Sequence, residues 1–231
     1  MQRDLDQINQ LANDSYRKTK TEPVEPVEPV DPVVSQTSKT NSIDHFKYSF
    51  LNRYNPERTE EKAIELSIKA AVQHNSLYSK SASNDDRKVI RHVWAEALRI
   101  ISEKYKSEEV SDEIYLADII ELKDLMNNQY SDYFMSETHP KFNYDPGFRI
   151  SHSQKSIGVY LKHLWCLGEI KAPPQCPVDA IILKVAGQKY PNTKWTHINS
   201  IDEHLSQVEI LSKMAGDLPL PEWELKSFNT S

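Results

Sequence analysis

The side chains best suited to chemistry crowd into one stretch of the chain: His152, Lys155, Lys162, His163, Trp165, Cys166, Cys176 and Asp179. His163 and Cys166 stand three residues apart, a spacing that brings both onto one face of a helix, and Cys176 follows a proline-stiffened stretch able to fold back. With His152 or Asp179 as a fourth donor they would hold zinc, although the spacing matches no common zinc framework. The same residues would also serve a cysteine nucleophile with a histidine base. Against both stands the plainer reading, which we favour: free cysteines are often buried as small hydrophobes, so no cofactor is expected.

A different chemistry is written across the same segment. Ser153-Gln154-Lys155-Ser156 open a helix that runs through Leu161, Lys162 and Leu164 to Gly168-Glu169-Ile170-Lys171. The pattern resembles a winged-helix recognition helix, whose small polar and basic residues near the N-terminus read base edges or phosphates. On that resemblance Ser153, Gln154, Lys155, Lys162 and Lys171 contact DNA or RNA. Two features depart from it. The preceding helix is expected to end near Asn128, leaving a connection much longer than the usual turn, and Pro173-Pro174 stands where a wing hairpin would be. The alternative is a core helix with a solvated lysine face.

Two hydrolytic patterns also occur. A restriction-type nuclease pairs an acid with a downstream E-x-K on a strand, and Asp145 with Glu169-Ile170-Lys171 has the spacing. E-x-K recurs at Glu121-Leu122-Lys123 and Glu224-Leu225-Lys226, as expected by chance in a charged helical chain. Arg87 and His92 have the R-x4-H spacing of HEPN-type ribonucleases, yet five residues advance a helix by about 500° and leave the two roughly 140° apart. Walker, dinucleotide, H-E-x-x-H and nucleophile-elbow motifs are missing, and five glycines offer little material for a phosphate cradle.

The elements that must position these residues are helical. Asn55-Pro56 starts a helix over about 56–74, and Ser83 precedes a strongly amphipathic run through Ile90, Val93, Trp94, Leu98 and Tyr105. A third helix covers about 112–128. His139-Pro140 and Asp145-Pro146-Gly147 mark a loop. Ser151 or Ser153 caps the helix bearing Ile157, Leu161 and Trp165, which Gly168 stops. Pro177 opens a short helix over 178–186, the Ser200 and Glu203 capping box another that ends at Gly216, and Pro221 the last, anchored by Trp223. Only 194–198 hints at a strand. The expectation is an all-α multi-helix bundle with helical domains at 44–135 and 149–231.

Residues 1–43 read as a disordered acidic arm. Leu5, Ile8, Ala12 and Tyr16 make at best a frayed helix, and 22–33 repeats Glu-Pro-Val three times before Asp31-Pro32-Val33. In polyproline II those twelve residues span about 37 Å, a spacer or a ligand for a protein partner. Much of the shortfall of apolar residues, 38% of the chain, belongs to this arm. No apolar run spans a membrane and the N-terminus lacks a signal-peptide core, so no membrane contact is expected. Two cysteines suit a reducing, cytoplasmic location. Residues 140–195 hold eight Lys and Arg against three Asp and Glu, the only basic stretch of a chain with net charge −6.

Leu161-Lys162-His163-Leu164-Trp165-Cys166-Leu167-Gly168-Glu169-Ile170, followed by Pro173-Pro174-Gln175-Cys176-Pro177-Val178-Asp179, resembles a signature of small uncharacterised bacterial proteins. The resemblance spans about 149–183 and implies a bacterial or phage cytoplasmic protein without implying an activity. A helix, a rigid corner and a second helix explain the same residues structurally. The expected function is that of a non-catalytic nucleic-acid-associated accessory protein. A metal-dependent nuclease or RNase, and an interaction module recruited through 22–33, remain alternatives.

Overall fold

The computed structural model describes residues 42–138 and 145–230. The acidic arm with its repeat, and His139-Pro140, lie outside the described residues. Among those described the fold is all-α, with eight α-helices and no strands. In chain order these are α1 (Ile43–Tyr54), α2 (Glu60–Val72), α3 (Asn84–Ser107), α4 (Asp112–Tyr130), α5 (Ile150–Leu167), α6 (Ala180–Val185), α7 (Ile201–Ala215) and α8 (Leu220–Thr230).

Local chemistry sets most helix ends. The Ser83 hydroxyl accepts from the Asp86 N–H and the Asp86 carboxylate accepts from the Ser83 N–H, closing a capping box on α3. Ser200 and Glu203 do the same for α7. Gly168 ends α5 at φ 83°, a left-handed conformation that a side chain would strain.

Four expectations are corrected. Asn55 does not cap a helix at 56. Its carboxamide brackets Thr59, donating to the Thr59 carbonyl (2.9 Å) and accepting from the Thr59 N–H (3.2 Å), so the chain turns and Thr59 caps α2. Residues 43–54, assigned no helix from sequence, form α1. Ser151 and Ser153 lie inside α5, whose N-cap is Arg149. The 194–198 segment holds a short 3-10 turn, Trp195–His197, in place of a strand.

The centre of the molecule is α5. Of its 18 residues 16 are buried, and α2 packs along it most extensively, with α1, α3, α4 and α7 around it. Gly158 lets the chain after Pro173 lie directly on this helix, because a Cβ there would come within 2.9 Å of the Pro177 Cα. Helices buried on every side are normally apolar all round. This one carries Ser151, His152, Ser153, Gln154, Lys155, Ser156, Lys162 and His163, and a buried polar group is costly without a hydrogen-bonding partner. The two helical stretches, before and after residues 139–147, close around α5 as one compact unit, Ile43–Ser231.

Candidate functional site

Of the five residues expected to touch nucleic acid, only Lys171 lies at the surface. Ser153 and Gln154 are fully buried, and Lys155 and Lys162 are 7% and 5% exposed. The Gln154 carboxamide behaves like a length of strand, donating to the Val178 carbonyl (2.9 Å) and accepting from the Val178 N–H (3.0 Å). Lys155 donates to Asp179 at 2.6 Å. Lys162 lies 2.8 Å from one Glu224 oxygen and 2.9 Å from the other, with its ammonium 4.5 Å from the Phe50 ring centroid and 4.1 Å from that of Phe228. Ser156 accepts from the Trp94 indole N–H at 3.1 Å. The solvated lysine face is therefore corrected as well, since both ammonium groups are spent on carboxylates inside the fold.

The P-P-x-C-P-x-D signature acts as a clip across the helices. Gln175 donates to Asp112 at the start of α4 (2.6 Å), and its carboxamide oxygen lies 2.9 Å from His204 Nε2 on α7. Val178 is held by Gln154. Asp179 caps α6 by accepting from the N–H groups of Ile181 and Ile182 at 2.8 and 2.9 Å. Burial alone would raise the pKa of Asp179, but the Lys155 charge and these hydrogen bonds outweigh it and hold the carboxyl below its ordinary value.

The zinc and nucleophile candidates fare differently from their sequence promise. Cys166 and Cys176 are free and buried. Burial pushes the Cys166 thiol up to about 12 and Cys176 well above its ordinary value, so neither supplies a thiolate at neutral pH. His163 packs its ring 4.7 Å from Phe50, and burial, assisted by the Lys162 charge, takes its pKa down to about 3. Among the described residues no three His, Cys, Asp or Glu side chains converge as metal ligands, so His163, Cys166 and Cys176 are not brought together as a set.

Nor do the hydrolytic patterns assemble. Glu169-Ile170-Lys171 follows the end of α5 on a bend, with no strand beneath it, and Asp145 is exposed and accepts from the Asn199 side chain. α3 runs unbroken through Arg87 and His92, which leaves them on separate faces of the helix. Arg87 lies over the Tyr78 ring, 5.2 Å from its centroid.

With Arg149, Lys155 and Lys162 buried, the accessible part of the basic stretch moves downstream. Between Asp179 and Asp202 the chain has no acidic residue and three lysines, Lys184, Lys189 and Lys194. Lys184 and Lys189 are exposed, Tyr190 is 75% exposed, and the Lys194 ammonium lies 4.9 Å from the Tyr190 ring centroid. The loop has a firm base. Trp195 is buried, the Ile198 carbonyl accepts from the Ser151 N–H at 2.9 Å, and the Thr196 carbonyl accepts from the Ser151 hydroxyl at 3.3 Å. These lysines belong to the basic stretch of the sequence but to none of its recognisable motifs. The acid-free run around an aromatic residue was the signal available.

Compared with known protein families, curated proteins and solved structures, the chain matches none. No helix among the described residues is long and apolar enough to cross a membrane.

Proposed function

We propose that the chain is a non-catalytic nucleic-acid-binding accessory protein, cytoplasmic and of bacterial or phage origin, that holds a single strand on the segment Lys184–Lys194, the end of α6 and the loop that follows it. The carrying observation is an exposed aromatic ring flanked by lysines on a pinned, acid-free loop. Single-strand binding by other proteins combines positive charge along the backbone path with aromatic faces on which bases stack. Lys184, Lys189 and Lys194 supply the first and Tyr190 the second. The relocation from α5 follows from burial: Lys155 and Lys162 reach a phosphate only by leaving Asp179 and Glu224, and a buried charge that loses its partner is heavily penalised.

Fluorescence anisotropy with a labelled 12-nucleotide single strand tests the reading. Three lysines neutralising three phosphates give a slope of log Kobs against log salt near −2, from about 0.7 per phosphate. Tyr190→Ala weakens binding by about 1–3 kcal/mol, the range found for base–aromatic stacking. Lys189→Glu with Lys194→Glu removes most of the salt dependence. Absence of binding at low salt, or binding untouched by these changes, rejects the proposal.

A further inference from the structure

Arg87, which forms no hydrolytic pair with His92, has a different neighbour in Arg91, one turn further along α3. Residues four apart share a helix face, so two guanidinium charges at this spacing repel. Their guanidinium carbons lie 5.2 and 5.8 Å from the centroid of one ring, that of Tyr78. The ring attracts both cations without neutralising either, and among the described residues neither arginine forms an ion pair. The acids in the first turn of α3 are engaged: Asp86 closes the capping box with Ser83, and Asp85 accepts from Lys88 at 2.9 Å. Arg87 is poorly satisfied within the fold. Its Nε is buried without a partner, and an Nη reaches the Ser79 carbonyl only at 3.5 Å, beyond a good hydrogen bond. Arg91 is exposed. Tyr78 has a fixed seat, because the Ser79 N–H donates to the Tyr133 carbonyl and the Met135 N–H to the Leu77 carbonyl, each at 2.9 Å. The segment is also tied to the base of the lysine-bearing loop: Asn75 donates to the Ser151 hydroxyl (3.3 Å), which donates to the Thr196 carbonyl (3.3 Å).

We propose, resting on the single-strand reading above, that Arg87 and Arg91 receive a terminal phosphate of the bound strand, a phosphomonoester. Two cations without a carboxylate partner match a group that carries close to two negative charges at neutral pH and three acceptor oxygens. Guanidinium forks suit such oxygens in geometry as well as in charge. A backbone phosphodiester carries a single charge and leaves half of the pair unbalanced. Free phosphate has the right charge, but it gains only the arginine contacts, whereas a strand end is also held through the bases and phosphates on the loop. The two places divide the work, the loop taking the body of the strand and the arginine pair its end.

The test uses 12-nucleotide single strands with an internal fluorophore and a 5′-phosphate, a 3′-phosphate or hydroxyls at both ends, titrated with the full chain. One of the phosphorylated strands should bind about tenfold tighter than the hydroxyl-ended one, the size of one charge-assisted hydrogen bond. Arg87→Gln and Arg91→Gln each bring the strands to within about twofold of one another, and Arg91, being exposed, keeps the test open if the Arg87 variant does not fold. Tyr190→Ala weakens all three strands alike and leaves the preference in place. Inorganic phosphate and a phosphoserine peptide, added as competitors, should displace the strand far less well than an unlabelled phosphorylated strand does. Binding without preference for either phosphorylated end, or a preference that persists in folded Arg91→Gln, overturns the arginine site and leaves the loop reading intact. Displacement by phosphate or phosphopeptide as effective as by the strand overturns the assignment to a strand end, and no binding of any strand overturns both readings.

Discussion

Acid should unfold this protein through its histidines well before its carboxylates are neutralised. Burial drives His152 far below its ordinary pKa, helped by the Arg149 charge against a weaker opposing hydrogen bond to the Asn75 carbonyl. Burial takes His204 to about 4, and burial with the Lys162 charge takes His163 to about 3. In the unfolded chain each titrates near 6.5. Because the folded values lie lower, the stabilisation is complete above about pH 6.5 and is lost as pH falls towards the folded values. Three protons taken up on unfolding give a slope of about 4 kcal/mol per pH unit, and between pH 7 and pH 5 the loss sums to about 5–6 kcal/mol. Glu224 runs the other way, since burial raises its pKa against the pull of Lys162. Its protonation in the fold offsets at most about 1.4 kcal/mol per pH unit above 4.5. The net loss is comparable with the whole stability of an ordinary domain, about 5–15 kcal/mol. Urea unfolding followed by tryptophan fluorescence at pH 7, 6 and 5 reads it directly, as a falling midpoint at constant m. His163→Phe keeps a ring against Phe50 and removes one proton, so it should lessen the pH 7 to 5 loss by about 2 kcal/mol. A midpoint that stays level from pH 7 to 5, or a slope indifferent to His163→Phe, refutes the reasoning.

The Lys162–Glu224 pair, with both side chains about 5% exposed, should cost about 3–5 kcal/mol when broken by Glu224→Gln or Lys162→Met. At about 2–4 °C per kcal/mol, calorimetry should then show Tm falling by roughly 6–20 °C, whereas Lys162→Met with Glu224→Leu recovers most of it. A double variant as unstable as the singles would count against the pairing. Gly158→Ala ordinarily strengthens a helix by up to about 1 kcal/mol, yet here the Pro177 backbone stands in the way, and a net loss of about 1–3 kcal/mol is expected in urea melts. A gain in stability would show that Pro177 does not press on α5. Cys166 and Cys176 should stay silent to Ellman's reagent in the native protein and react together once denaturant is added. Prompt labelling of either thiol in the native state would contradict their burial.

Several helix ends were legible where neighbouring residues carry the instruction. Ser83 with Asp86, Ser200 with Glu203, and Gly168 act on neighbours three or four residues away, so their structural consequence is written in the local spelling. Asn55 was misread for a related reason. Asn before Pro-Glu satisfies the local pattern for a helix start, but its carboxamide closes a turn onto Thr59 instead. α1 went unassigned because only Phe50 and Leu51 are fully buried, and its packing against α5 and α8 is not visible in its own twelve residues.

The sequence by itself determined an all-α chain, its main helix boundaries and a basic stretch after residue 140, because propensity, capping and charge composition act over a few residues. What only the tertiary structure decided is which of those charges face water. Lys155 and Lys184 are the same residue type in the same basic stretch, but Lys155 meets Asp179 in the interior while Lys184 is exposed. The partners that bury Lys155, Lys162, Gln154 and Gln175 lie 24, 62, 24 and 63 residues away. No local pattern specifies contacts at such separation. They arise when α5 is enclosed and its polar groups, cut off from water, must be satisfied by whatever the fold brings against them.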